Sequence, residues 1–182
     1  MPAEMPAAMI LAARGFGALL FGASALGKGR NLGEFAAIIA RHVPLAGRGS
    51  AALAGAIIAI EGLCAVFLAS GVASPVGGVL GIVLLLGFAL VMARALRRGE
   101  RDLDCGCRFG AARQAITWPL VWRNLVFAAA LFPALARWAQ APGRLEWIDG
   151  LGAGAAMFVL AALATQLIHL HDRTVQLQQR FS

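Results

Sequence analysis

Two of the three cysteines in this 182-residue chain stand one residue apart, in Asp102-Leu103-Asp104-Cys105-Gly106-Cys107-Arg108-Phe109-Gly110. Thiols at that spacing can close only a tight ring, and Gly106 between them tolerates the backbone angles that closure demands. A disulfide of this kind is strained and readily exchanged, which suits redox work better than structural stapling. Arg101 and Arg108 flank the pair and favour thiolate, while Asp102 and Asp104 oppose it, so local charge sets no net direction. Two other readings stay open: half of a soft-metal site for Cu(I) or Zn, and a loop without chemistry. Cys64 sits among Ala, Leu and Val, where a thiol behaves as a small hydrophobe and packs inertly.

Glu61 is the second feature. It falls near the centre of an apolar stretch, where an ionisable group costs at least about 2.5–3.5 kcal/mol in a bilayer, so it must face other helices. It reads either as a polar contact that locks helix packing or as a proton or ligand site, with Arg14 as a candidate partner. Arg123 and Asn124 open another apolar stretch. They read as an interface anchor and a helix-start hydrogen bonder, or as groups that hold the cysteine loop to the membrane or touch a partner. His169 and His171, two apart on a helix, face different sides and make poor joint metal ligands. The chain has no phosphate loop, zinc-hydrolase helix or Ser/His/Asp arrangement. The candidate set is therefore Cys105 and Cys107 as reactive thiols, with Gly106, Arg108, Glu61, Arg123 and Asn124 in support. No cofactor or metal is assigned to it, and participation of a quinone or a metal stays open.

The elements that position these residues follow from composition. Hydrophobic residues make up 60% and charged ones 14%, with a mean hydropathy of +0.76. Soluble domains run about 45–50% apolar and about 25% charged, so a soluble domain, a disordered chain and a disulfide-stapled scaffold are all excluded. The net charge is +7, from 16 Lys and Arg against 9 Asp and Glu, and Lys28 is the single lysine. Such basicity points to nucleic acid in a soluble protein, but here the charges lie between apolar segments and set membrane topology. A spanning helix needs about 20 apolar residues. Five stretches qualify, at residues 9–27, 51–71, 76–92, 119–138 and 151–170. The expectation is an all-α polytopic bundle in one integral-membrane domain, with no second domain and no internal repeat.

Local signals refine that plan. Ser74-Pro75 reads as a cap and first helical residue, and Pro133 should kink the fourth span. Asn31-Leu32-Gly33-Glu34 has the form of a capping box, and Leu32, Phe35 and Ile39 then recur as one face of a short amphipathic helix at the membrane surface. Ala23-Ser24-Ala25 resembles a signal-peptide cleavage site, but no Lys or Arg precedes the stretch, so the first span reads as retained. Five spans put 13 of the 16 basic residues on the side of the two long loops and the C-terminus. Only Arg137 and Arg144 fall opposite, with Arg14 inside the first span. The positive-inside rule then places the N-terminus outside and the cysteine loop and C-terminus in the cytoplasm.

Several short motifs, in order, carry a family resemblance. They are Phe21-Gly22-Ala23-Ser24-Ala25-Leu26-Gly27-Lys28, His42-Val43-Pro44, Ile60-Glu61-Gly62, Cys105-Gly106-Cys107 with Phe109-Gly110, and Trp122-Arg123-Asn124. On these the sequence resembles the MauE family of methylamine-utilisation membrane proteins, within the wider DoxX/DoxD-like group, over roughly its first 135 residues. The family pattern runs Cys-Gly-Cys-Phe-Gly, and here Arg108 is inserted. The resemblance implies a DoxX-like four-helix core over about residues 9–138, with an extra C-terminal span. It implies help in maturing methylamine dehydrogenase, whose exported small subunit is rich in disulfides, beside a thioredoxin-like, MauD-like partner. The residues themselves keep three readings in play: a membrane thiol–disulfide relay, a transporter or metal-delivery protein using Glu61 and the thiols, and an anchor for a soluble redox partner.

Overall fold

The computed structural model describes residues 6–42, 47–99, 117–136 and 143–181. Among them are six helices: α1 (Ala7–Arg30), α2 (Leu32–His42), α3 (Gly47–Ser70), α4 (Ser74–Arg97), α5 (Trp118–Ala130) and α6 (Arg144–Phe181), with a 3-10 turn at Phe132–Leu135 after α5. No strand occurs among the described residues. Residues 100–116, which include Cys105, Gly106, Cys107 and Arg108, lie outside them.

Five segments are long and apolar enough to cross a membrane: Ala7–Arg30, Arg48–Ser70, Ser74–Arg97, Trp118–Leu135 and Arg144–Leu167. These are the five expected spans, with ends moved by a few residues. The all-α bundle read from the sequence is the one observed.

The bundle is arranged around α1. Half of its apolar window is buried, against 17% of that of α6. Helices α1, α3, α4 and α5 close on one another, α6 lies against the outer side of α1, and the 3-10 turn wedges between α1 and α4. The shared core holds Phe16, Leu20 and Phe21 from α1, Cys64 and Leu68 from α3, Leu85 from α4, and Phe127 and Leu131 from the α5 segment. Phe16 and Phe127 meet edge to face at 5.3 Å between centroids. Cys64 is fully buried and free, as its apolar surroundings predict.

Three local features depart from the sequence reading. Pro133 does more than bend its helix. It offers no N–H and its ring clashes with the preceding turn, so α5 stops at Ala130 and the chain continues as 3-10, with Ala134 N bonded to Leu131 O at 2.9 Å. Helix α4 begins one residue early, with Ser74 inside it and Ala73 as cap at φ 55°. The turn from α3 leaves only three residues for the reversal, and Gly71 at φ 75° and Ala73 both go left-handed to make it. Helix α2 does form, but it buries Phe35, Ala36 and Ile39 against Ala54 and its neighbours on α3, while Leu32 stays exposed.

The α1–α6 contact depends on Gly150 and Gly154, four apart on α6. A Cβ added at Gly154 would lie 2.6 Å from the Ala12 carbonyl oxygen and 2.9 Å from Phe16 N, so only glycine admits this backbone approach. Lipid offers no hydrophobic drive between helices, and close packing of this kind supplies the attraction instead. Gly152, between them, faces open space. Gly154→Val should therefore cost about 1–3 kcal/mol by overpacking and lower the melting temperature of the detergent-purified protein. Gly152→Val should melt with the parent, and equal melting of the two variants would contradict this packing.

Candidate functional site

Lys28 and Glu61 form a salt bridge inside the bundle, each with its side chain 1% exposed. The chain reaches this arrangement through helix periodicity. Ser24 and Lys28 are four apart, hence on one face of α1, and that face meets the middle of α3. Ser24 Oγ donates to the same Glu61 oxygen, Oε1, at 3.1 Å. Two aromatic rings cover the ammonium: Phe88 of α4 with its centroid at 4.5 Å and Phe35 of α2 at 5.1 Å. Ring faces attract a cation, and more strongly once it is desolvated.

Arg14 is not the group that neutralises this carboxylate. Its Nε donates to the Leu68 carbonyl at 3.0 Å, two helical turns further along α3, and its guanidinium packs on Gly71. There it serves the C-terminal end of α3, whose last carbonyls lack helical partners and carry partial negative charge. Arg14 and Lys28 are about 21 Å apart along α1 at 1.5 Å per residue. The two charges therefore serve opposite ends of the bundle.

Arg123 and Asn124 arrive from the second turn of α5. Both are buried, at 9% and 2% exposure. Arg123 Nη1 donates to Thr165 Oγ1 of α6 at 3.3 Å, and that hydroxyl in turn donates to the Ala161 carbonyl at 2.7 Å. The guanidinium lies 5.7 Å from the Phe127 ring centroid. Arg123 Nε and Asn124 Nδ2 have no hydrogen-bond partner among the described residues. Both residues share with Ser24 and Glu61 the lining of a small cavity of about 20 Å³, otherwise walled by aromatic and aliphatic side chains such as Phe21, Phe88 and Phe127.

Three motifs separated by up to a hundred residues thus meet at one place within the bundle: Ser24 and Lys28, then Glu61, then Arg123 and Asn124. Of the residues singled out from the sequence, Glu61, Arg123 and Asn124 are brought together, and Cys105, Gly106, Cys107 and Arg108 lie outside the described residues. The sequence reading treated Lys28 as one more loop-side charge and did not pick out Thr165 or the rings. One signal was available: the only lysine of the chain stands one turn after Ser24, where a single inward face carries both.

A sequence profile of the family described as "Methylamine utilisation protein MauE" matches residues 5–139. The chain is 35% identical over 161 residues to "Methylamine utilization protein MauE" of Paracoccus denitrificans, covering 87% of each chain. It is 32% identical over 162 residues to the protein of the same description from Paracoccus versutus, covering 86% of this chain and 85% of that one. No solved structure matches it.

The buried pair gives a distinctive energetic expectation. Removing one partner strands the other charge, at about 3–5 kcal/mol, whereas replacing both by apolar groups is often close to neutral. Lys28→Met and Glu61→Leu should each lower stability strongly, and the double variant should be more stable than either single one. Unfolding of the purified proteins in detergent measures this, and additive losses would mean that the two side chains are not coupled. Glu61→Gln, which keeps a hydrogen-bonding group beside Ser24 and Lys28, should still insert and should lose less stability than Glu61→Leu.

Proposed function

Because this chain belongs to the MauE family and has the five apolar helices of a multi-pass membrane protein, we propose that it serves methylamine utilisation as a membrane thiol–disulfide relay through Cys105 and Cys107. The client is an exported cysteine-rich protein, by resemblance the methylamine dehydrogenase small subunit, and the relay partner is a thioredoxin-like, MauD-like protein. In each cycle two electrons and two protons pass from one dithiol to one disulfide. A thiolate of the pair attacks the partner disulfide, a mixed disulfide forms, and the second thiol resolves it, closing Cys105–Cys107 and releasing the partner as dithiol. A second dithiol then reopens the ring. In this reading Gly106 permits that closure, and Arg108 is the basic neighbour of Cys107 in sequence, set against Asp102 and Asp104.

The observation that carries this reading is the position of the polar cluster relative to the segment holding the thiols. Residues 100–116 join the end of α4 to the start of α5. Arg123 lies about 8 Å into α5 from that end and Phe88 about 14 Å back along α4, at 1.5 Å per residue. Arg123 and the Phe88 ring that covers Lys28 are therefore in the half nearer the thiol-bearing segment, with Arg14 at the opposite end. In this reading Arg123, Asn124 and Glu61 brace the helix ends from which the segment leaves.

By the positive-inside rule the thiols face the cytoplasm of a bacterial inner membrane and the N-terminus faces outward. The client matures on the other side, so electrons reach it through a conduit that starts from cytoplasmic thiol reductant. A membrane-impermeant maleimide should label Cys105 and Cys107 in inverted vesicles and not in intact cells. The reverse pattern would overturn the orientation.

Cys105→Ser and Cys107→Ser should each abolish client maturation, and one of them should accumulate a partner adduct that dithiothreitol releases on a gel. Cys64→Ala should leave maturation unchanged. Wild-type maturation in both single variants, with no adduct, would end the relay reading. Metal lost from each variant without any adduct would replace it with metal delivery.

A further inference from the structure

Helix α6 has two faces, and the bundle uses one of them. Gly150 and Gly154 approach α1, and Thr165 is bonded to Arg123 of α5. At about 100° per residue, Leu160, Leu163, Leu167 and Leu170 fall on the opposite side of the helix. Each is more than half exposed. They are spaced three, four and three apart, and the same alternation continues through Thr174, Leu177 and Phe181. Every leucine from residue 160 onward lies on this seam. An apolar heptad sustained over about three repeats is the pattern of a coiled coil. Lipid accounts for only part of it. The membrane-crossing segment of α6 ends at Leu167, whereas the helix runs on to Phe181, about 21 Å further at 1.5 Å per residue. Nine of the fourteen residues 168–181 are polar or charged, so this extension stands in water. The seam nevertheless keeps its register there, and Ile168 and Val175 are the extension's two apolar residues off it.

We propose that α6 pairs with α6 of a second copy of this chain as a parallel coiled coil, running from Leu160 in the membrane to Phe181 in water. A leucine row of heptad period meshes with a row of the same period, and a two-fold related copy supplies one. Two copies inserted the same way present their seams in parallel. The flanking positions that then meet across the pair are Gln166 with His171 and Arg173 with Gln178, so no two like charges oppose. An antiparallel pair would set the arginines at 173 and 180 against their counterparts. Different physics holds the two halves of the seam. In water, pairing removes apolar side chains from solvent. In lipid that drive is absent, and the same leucines associate by packing knobs into holes. Because the seam lies opposite the α1 contact, pairing leaves the Lys28–Glu61 centre undisturbed.

Oxidative cross-linking of the full chain in native membranes tests this, in a Cys105→Ser, Cys107→Ser background whose remaining thiol, Cys64, is buried. Thr174→Cys and Leu177→Cys, on the seam, should each give a band at twice the 18.9 kDa of the chain, and dithiothreitol should reverse it. Asp172→Cys and Gln179→Cys, on the far side of the extension, should stay single. Equal cross-linking at all four positions would mean chance collision and would overturn the pairing. So would its absence at 174 and 177, or a seam adduct of any other mass, which would assign the seam to a different protein. Light scattering of the detergent-purified background chain gives a second reading. The parent should have the mass of two copies, Leu177→Glu should halve it by placing a charge in the seam, and Gln179→Glu should leave it unchanged. Equal masses for Leu177→Glu and its parent would contradict the coiled coil. The reactive pair is absent from every variant, so these outcomes stand apart from the relay.

Discussion

Charge inside a medium that cannot solvate it is the constraint on which this bundle depends, and the Lys28–Glu61 bridge is where it is met. An unpaired carboxylate or ammonium at this depth is costly enough to rearrange the helices around it. Pairing them fixes more than one contact. It sets the rotation of α1, because Lys28 and Ser24 must both face α3. It draws α2 back across α3, because Phe35 covers the ammonium, and it brings the middle of α4 inward through Phe88. The same pair brings the carboxylate beside the cavity that Arg123 and Asn124 line from α5. One electrostatic requirement thus orients four helices and builds the polar centre.

The remaining helix contacts follow different physics. Between α1 and α6 the attraction comes from backbones that approach at glycine, reinforced by the Arg123–Thr165 bond between α5 and α6. At the far end of the bundle, Arg14 ties α1 to the last carbonyls of α3. Polar groups act as connectors at both ends, and small residues as spacers where the first turns of α1 meet α6, a division of labour suited to lipid that is as apolar as the side chains it surrounds.

Composition and apolar run length made the spans legible, because a bilayer imposes a length that few other folds require. Pro133 and the Asn31–Glu34 segment were legible as breaks and starts, yet the size of the Pro133 effect was not. Whether a proline kinks a helix or ends it depends on the packing beyond, here the wedge between α1 and α4. Glu61 announced itself by its cost alone. Its partner did not, since Arg14 and Lys28 lie at opposite ends of one helix and only the register of α1 against α3 decides between them. The glycines of α6 were not singled out from the sequence, because α6 has many small residues and only the three-dimensional approach separates Gly154 from Gly152.

The burial of Arg14 and Lys28 on one helix also bears on how the protein is made. Synthesis runs from the N-terminus, so α1 is complete before any residue of α3 exists. During that interval neither the Leu68 carbonyl nor the Glu61 carboxylate is available, and the first span carries two cations with nothing in lipid to meet them. A helix in that condition is held by the insertion machinery or keeps its charged ends in water until α3 follows. The cost of those two cations is met only once Leu68 and Glu61 of α3 are in place, which favours entry of the first two spans together.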